Sequence, residues 1–105
     1  MDLDLETIKH LDDSQKNRYA MLERLFASDG WKIVSKLSGE LAEMSKERAA
    51  NAQTWEDNRF AAGQRFAYTH FVKLEDVTEA EFQKLADDNK EKAANASDQN
   101  EEDFE

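Results

Sequence analysis

The chain contains no proline and only three glycines among its 105 residues. Because turns and strand ends depend heavily on these two residue types, the sequence has too few turn signals for a fold of many short strands. Alanine, glutamate, lysine and leucine are plentiful, and all of them favour helices. We therefore predict an all-α fold, an antiparallel helical hairpin or small bundle of three to four helices. The length allows one domain with a modest core.

Local signals set the predicted ends of the first two helices. The first begins near Ser14, where "DDSQ" supplies capping side chains. The segment "SDG" then interrupts the pattern, since Gly30 is suited to end one helix and Ser28 or Asp29 to cap the next. The second helix is predicted from Trp31 to Asn51. It carries one apolar stripe with 3-4-3 spacing, formed by Val34, Leu37, Leu41 and Met44.

Two capping patterns predict the starts of the remaining helices. Thr54, followed by Asp57, starts the third helix, and Thr78, followed by Glu81, starts the fourth. An alternative is one unbroken helix over residues 31–72. A lone helix of that length would leave both apolar ends uncovered, so the hairpin is preferred.

Aromatic residues concentrate in "TWEDNRFAAGQRFAYTHF", which runs from Thr54 to Phe71. On a helix these residues form adjoining stripes with a small centre and large ends, a pattern that predicts a surface packing on another helix, within the chain or between chains. The predicted interaction face consists of Trp31, Trp55, Phe60, Gly63, Phe66 and Phe71. A strand over "RFAYTHFVKL" is an alternative, because aromatic and β-branched residues are dense there and Phe66, Tyr68, His70 and Val72 alternate. No comparable second strand is visible to pair with it.

The net charge of −10 is distributed unevenly along the chain. Residues 86–105 carry −6 and the other 85 residues carry −4. We predict an N-terminal arm at 1–13, a helical domain at 14–85 and an acidic, disordered tail at 86–105. A net-negative protein repels phosphate backbones, so direct nucleic-acid binding is not expected.

No residue pattern indicates catalysis, a cofactor or a metal site, and we expect a protein that is not an enzyme. His10 and His70 lack the neighbours that a catalytic or zinc-bound histidine needs. Glu56 and Asp57 are adjacent, so on a helix their carboxylates diverge by about 100°. The absence of cysteine excludes disulfides and thiolate ligands and favours a reducing compartment. The acidic N-terminus and the lack of a long apolar run indicate a protein that is neither secreted nor membrane-spanning.

The stretch "LFASDGWKIV", a polar helix and then "NAQTWEDNRFAAGQRFAY" resemble a group of short proteins of tailed bacteriophages. In that group a "GW" opens a long amphipathic helix, and a turn leads into a second helix with a central glycine. The resemblance covers residues 22–74. The matching residues are Gly30, Trp31, Thr54, Trp55 and Gly63. Most members have no assigned function, and their genes often lie among virion structural genes. The resemblance implies a phage origin, a virion or assembly role, and a location in the host cytoplasm or the virion.

Two functions follow from these features. The first is a small helical protein that binds protein, either another copy in a homo-oligomer or a larger phage structural protein. The alternative is an acidic inhibitor that occupies a host nucleic-acid-binding cleft by imitating phosphate charge. A mimic needs acids along a folded face, whereas most of the excess charge here falls in the predicted tail.

Overall fold

The computed structural model describes the backbone of residues 1–102 and the side chains of residues 1–96. It contains five helices, and the described residues form no strand. The helices are α1 (Leu5–Lys9), α2 (Asp13–Ala27), α3 (Asp29–Ala50), α4 (Trp55–Val72) and α5 (Leu74–Glu102). The all-α prediction is confirmed, with five helices where three or four were expected. The strand alternative is wrong, because residues 65–72 belong to α4.

The chain divides into two compact units. Unit 1 combines residues 1–24 with the chain from Asp76 onward, and unit 2 is the continuous segment Leu25–Glu75. Helices α2 and α5 each contribute to both units.

Unit 1 has a small core of four buried side chains, Leu11, Tyr19, Phe82 and Ala86. The rings of Tyr19 and Phe82 meet edge to face, with centroids 5.4 Å apart. The backbone N–H of Leu3 donates a hydrogen bond to the Tyr19 hydroxyl at 3.2 Å. Burial of the phenol raises the pKa of Tyr19 above its ordinary value, because the phenolate would lose hydration.

The N-terminal arm folds onto this core. Asp4 accepts a hydrogen bond from the backbone N–H of Thr7 at 2.8 Å and so caps α1. Hydrogen bonding to Thr7 lowers the pKa of the Asp4 carboxyl, since it stabilises the charged form. The segment predicted as an N-terminal arm thus contains the short helix α1.

The predicted start of the tail after residue 85 is wrong. Ala86 is 2% exposed, and α5 continues as a helix to Glu102. The side-chain amide of Asn89 donates to the backbone oxygen of His10 at 2.9 Å and to Oε1 of Gln15 at 2.8 Å. Folded structure therefore extends past the predicted boundary. Residues 103–105 of the predicted tail lie outside the described residues.

Side-chain caps define the starts of α2 and α3. Asp12 and Gln15 form a reciprocal box, in which each side chain accepts from the other residue's backbone N–H, at 2.7 and 2.9 Å. Ser28 accepts from the backbone N–H of Trp31 at 3.1 Å, which confirms Ser28 as the cap of α3. Gly30 does not end α2 as predicted, because it already lies in the first turn of α3.

The capping prediction holds for α4 and fails for α5. Thr54 accepts from the backbone N–H of Asp57 at 3.1 Å and caps α4 as expected. Thr78 does not start a helix, because α5 has already begun at Leu74.

Helices α3 and α4 form an antiparallel hairpin. The side-chain amide of Asn58 donates to the backbone oxygen of Ala49 at 2.7 Å, near the turn. At the open end, a Cβ added to Gly39 would lie 3.9 Å from Cγ2 of Val72. In these contacts the residue numbers decrease along α3 as they increase along α4, so the two helices run antiparallel. The chain therefore does not form one continuous helix over 31–72.

The hairpin is held together along small side chains. Ser38 and Ser45 are buried on α3, and Ala61 of α4 has no exposed surface. On the side of α3 that faces α4, small residues recur at alternating intervals of three and four positions. We define the small-residue seam as Ser35, Ser38, Ala42, Ser45 and Ala49 of α3 together with Ala61 of α4. Small side chains allow two helices to approach closely, so the seam stabilises the pair through backbone-proximal van der Waals contact.

Replacing Phe82 with alanine tests the unit 1 core. The ring is 3% exposed, so Phe82→Ala is expected to lower the free energy of unfolding by about 3–5 kcal/mol. Phe66→Ala removes the same atoms from a ring that is 70% exposed, and its expected effect is about 0.5 kcal/mol or less. Urea denaturation followed by circular dichroism measures both. Equal losses of unfolding free energy in the two variants would contradict the burial of Phe82 in the unit 1 core.

Enlarging Ala61 tests the seam. Ala61→Leu adds a large side chain where α3 leaves no space, and overpacking of this kind costs about 1–3 kcal/mol. The neighbouring Ala62 is exposed, so Ala62→Leu is expected to change the free energy of unfolding by about 0.5 kcal/mol or less. The same denaturation experiment compares them. A tolerated leucine at 61 would show that α3 and α4 are not in close contact there.

Candidate functional site

The α3 stripe, defined as Val34, Leu37, Leu41 and Met44, is exposed rather than buried. These side chains expose between 38% and 55% of their surface. The seam residues from Ser35 to Ser45 each follow a residue of the α3 stripe by one position. Helix α4 covers the seam and leaves the stripe exposed. The repeated Ser and Ala at 38, 42 and 45 are a signal that could have identified the seam from the sequence.

The structure does not bring the six predicted interaction residues together on one face. Trp31 is half-buried, and its ring packs edge-on against Phe26 with centroids 4.9 Å apart. Trp31 therefore helps to join α2 to α3 and contributes little to an outer surface. The other five residues lie on α4 and divide into two sets.

The first set is the α4 stripe, defined as Phe60, Gly63, Ala67 and Phe71, all exposed. Phe60 is 68% exposed and Phe71 is 50% exposed. Apart from the adjoining backbone of α4 itself, no atom of the described residues lies within 4 Å of a Cβ added at Gly63. The stripe is therefore a shallow hollow with a large ring at each end and open space over the glycine.

The second set is the outer aromatic pair, Trp55 and Phe66, each 70% exposed. The guanidinium carbon of Arg59 lies 4.8 Å from the centre of the Trp55 ring, which is a cation–π geometry. The Phe66 and His70 rings stack at a tilt, with centroids 5.2 Å apart. Both contacts fix large aromatic side chains in place on the surface of α4.

A shallow apolar groove runs beside the outer aromatic pair. It encloses about 340 Å³. Its walls are Phe66, Ala67, His70, Phe71 and Leu74. A groove of this size and composition has room for an apolar side chain.

The α3 stripe and the α4 stripe lie on the same side of the hairpin. Arg48 continues the α3 stripe four residues beyond Met44, and its Nη1 donates to Oε1 of Gln64 at 3.4 Å. Arg48 also lines a concavity of about 510 Å³ together with Phe60. Successive residues of a helix are rotated by about 100° around its axis. Phe60 and Phe71 therefore point roughly 90° away from the buried side of α4, toward the side that Arg48 occupies.

Each histidine contacts one side chain of its own helix or its cap. Nε2 of His10 lies 3.7 Å from Oε1 of Glu6, and His70 stacks on Phe66. Within the part of the chain that the structure describes, no three His, Cys, Asp or Glu side chains are arranged to hold a metal ion. No helix among the described residues is long and apolar enough to cross a membrane.

Comparison with protein-family models, with curated proteins and with solved structures finds no match for this chain.

The two tryptophans are expected to report different environments. In Trp31→Phe, the remaining Trp55 should emit at long wavelength, change little on unfolding and be strongly quenched by acrylamide, because it is 70% exposed. In Trp55→Phe, the remaining Trp31 packs on Phe26 and should shift to longer wavelength on unfolding. Steady-state fluorescence measures both. Similar spectra from the two variants would contradict the separation of the tryptophans.

Proposed function

We propose that this chain is a small helical bacteriophage protein that acts by protein–protein interaction, with a structural or assembly role in the virion. One observation carries the proposal: the hairpin buries serine and alanine and leaves its large aliphatic and aromatic side chains exposed. Exposed apolar surface of this extent in so small a protein is typical of a binding surface.

The composition of the exposed surface supports a protein partner. Trp, Tyr and Arg are the residue types that most often dominate binding energy at protein interfaces. Trp55 with Arg59 above it, and Phe66 beside the apolar groove, provide such anchors on one helix. The partner that fits is another copy of the chain or a larger phage structural protein.

The phage assignment is supported by the resemblance, which covers residues 22–74. That range nearly coincides with unit 2, Leu25–Glu75. The segment that resembles the phage proteins is therefore a compact structural unit, and it is the unit that carries the exposed aromatic residues.

An acidic inhibitor of a host protein is the second candidate, and one observation favours it. Unit 2 contains seven basic and seven acidic residues, so its net charge is zero and the chain's −10 arises entirely outside it. Part of that charge is on α5, a helix, where Asp87, Asp88 and Glu91 are exposed. Acidic residues on a helix form a more regular charge array than an extended tail provides.

The first experiment asks whether the chain travels with phage particles. The tagged full chain is expressed in host cells during infection, particles are banded on a density gradient, and the bands are analysed by mass spectrometry. The chain is expected in the particle or assembly-intermediate bands. Trp55→Ala with Phe66→Ala is expected to reduce its recovery several-fold, because the outer aromatic pair supplies the anchors.

The matched control is Leu5→Ala with Met21→Ala, which removes exposed apolar side chains from unit 1 and should leave recovery unchanged. A second control ends the chain at Ala96, which removes five acidic residues and keeps Ala86 and Asn89 in place. An assembly protein keeps its particle association after this truncation, whereas a charge-driven inhibitor loses activity. Absence of the full chain from every particle and intermediate band would contradict the virion role.

A further inference from the structure

The hairpin has one side on which both helices expose apolar residues, as judged over the described part of the chain. We define the hairpin face as the α3 stripe together with the α4 stripe. On α3 the stripe has the 3-4-3 spacing of a helix-packing seam, yet Leu37 and Met44 are each about half exposed. The helix therefore carries two seams, and α4 covers the small-residue seam while the α3 stripe stays exposed.

The two stripes have complementary shapes. The α3 stripe is a continuous ridge of large aliphatic side chains, whereas the α4 stripe is a hollow between Phe60 and Phe71 with open space over Gly63. Within one copy the ridge and the hollow lie side by side on the same face, so they cannot fill each other. A two-fold rotation of a second copy places each ridge over the partner's hollow.

We propose that the hairpin face binds a second copy of the same chain, and that two hairpins close into a four-helix bundle. The ridge of one copy occupies the hollow of the other, and both ridges are buried by the same contact. This inference deepens the proposed function, protein binding through the hairpin, and rests on it. Trp55 and Phe66 lie farther around α4 and are not part of the hairpin face, whereas Ala67 and Phe71 line both that face and the apolar groove.

The exposed area agrees with a dimer. The six large side chains of the face expose between 38% and 68% of their surfaces. Together they amount to roughly 500–600 Å² of apolar area, close to the apolar share of an interface that buries about 800 Å² on each partner.

The charge of unit 2 permits a second copy to approach the hairpin face. Two chains of net charge −10 repel each other as wholes, but unit 2 carries seven acidic and seven basic residues and is neutral. Two copies of unit 2 therefore meet without net repulsion. The excess charge outside unit 2 opposes further growth into aggregates.

Filling the hollow tests the proposal without damaging the fold. Gly63→Leu adds a side chain where the chain's own atoms leave open space, and leucine favours a helix more than glycine does. The new side chain occupies the site that the partner's ridge needs. Ala62→Leu, one residue earlier and on a different side of α4, is the matched control. Leu37→Ser, on the ridge, is the second disruptive variant.

Light scattering on a sizing column measures the mass of each full-length protein across the micromolar range. The wild type and Ala62→Leu are expected at twice the chain mass of 12.1 kDa. Gly63→Leu and Leu37→Ser are expected at one chain mass, with a dissociation constant raised about tenfold or more and with an unchanged helix signal in circular dichroism.

Three results would overturn the dimer. They are a wild-type monomer at every concentration, a dimer that Gly63→Leu leaves intact, and an assembly larger than two chains. A monomeric wild type that still travels with phage particles removes the dimer and leaves the proposed function standing. A wild-type dimer that is absent from all phage particles supports the dimer and contradicts the proposed virion role.

Discussion

The close approach of α3 and α4 along Ser38, Ser45 and Ala61 is the constraint on which the rest of unit 2 depends. A seam of serine and alanine brings the two backbones close together and leaves no space for large side chains between them. The large residues of both helices must therefore lie on the flanks and on the outer side. The exposed ridge on α3, the hollow on α4 and the outer aromatic pair all follow from this one arrangement.

Unit 1 is organised in the opposite way. It buries its large rings, with Tyr19 against Phe82, and it carries the whole net charge of the chain. Its core joins the beginning of the chain to α5, and the hydrogen bonds from Asn89 to His10 and Gln15 fasten the two parts together. The chain thus combines an acidic unit with an ordinary buried core and a neutral hairpin with an exposed apolar surface. That division is what makes the hairpin the candidate for binding.

Local chemistry made several features predictable. Ser28 and Thr54 cap α3 and α4 as expected, because a cap depends on a side chain and a backbone N–H three residues apart. Thr78 has an equally good pattern but lies inside α5, because that helix already begins at Leu74 and the N–H groups there are bonded within it. The α3 stripe was readable as an apolar stripe, yet spacing alone does not distinguish the stripe that another helix covers from the stripe that remains exposed. The start of the tail was misplaced because Asn89 is held by residues more than 70 positions away, which composition does not reveal.

By itself the sequence determined an all-helical chain, the positions of the α2–α3 and α3–α4 junctions, and the absence of recognisable catalytic motifs. These properties depend on the propensity of each residue and on its near neighbours. Only the tertiary structure decided which stripe of α3 is buried, that the aromatic residues of α4 lie outside, and that α5 packs beyond residue 85. The physical reason is that periodicity is a local property of one helix, whereas burial depends on how closely a second helix can approach, and small side chains allowed the closest approach.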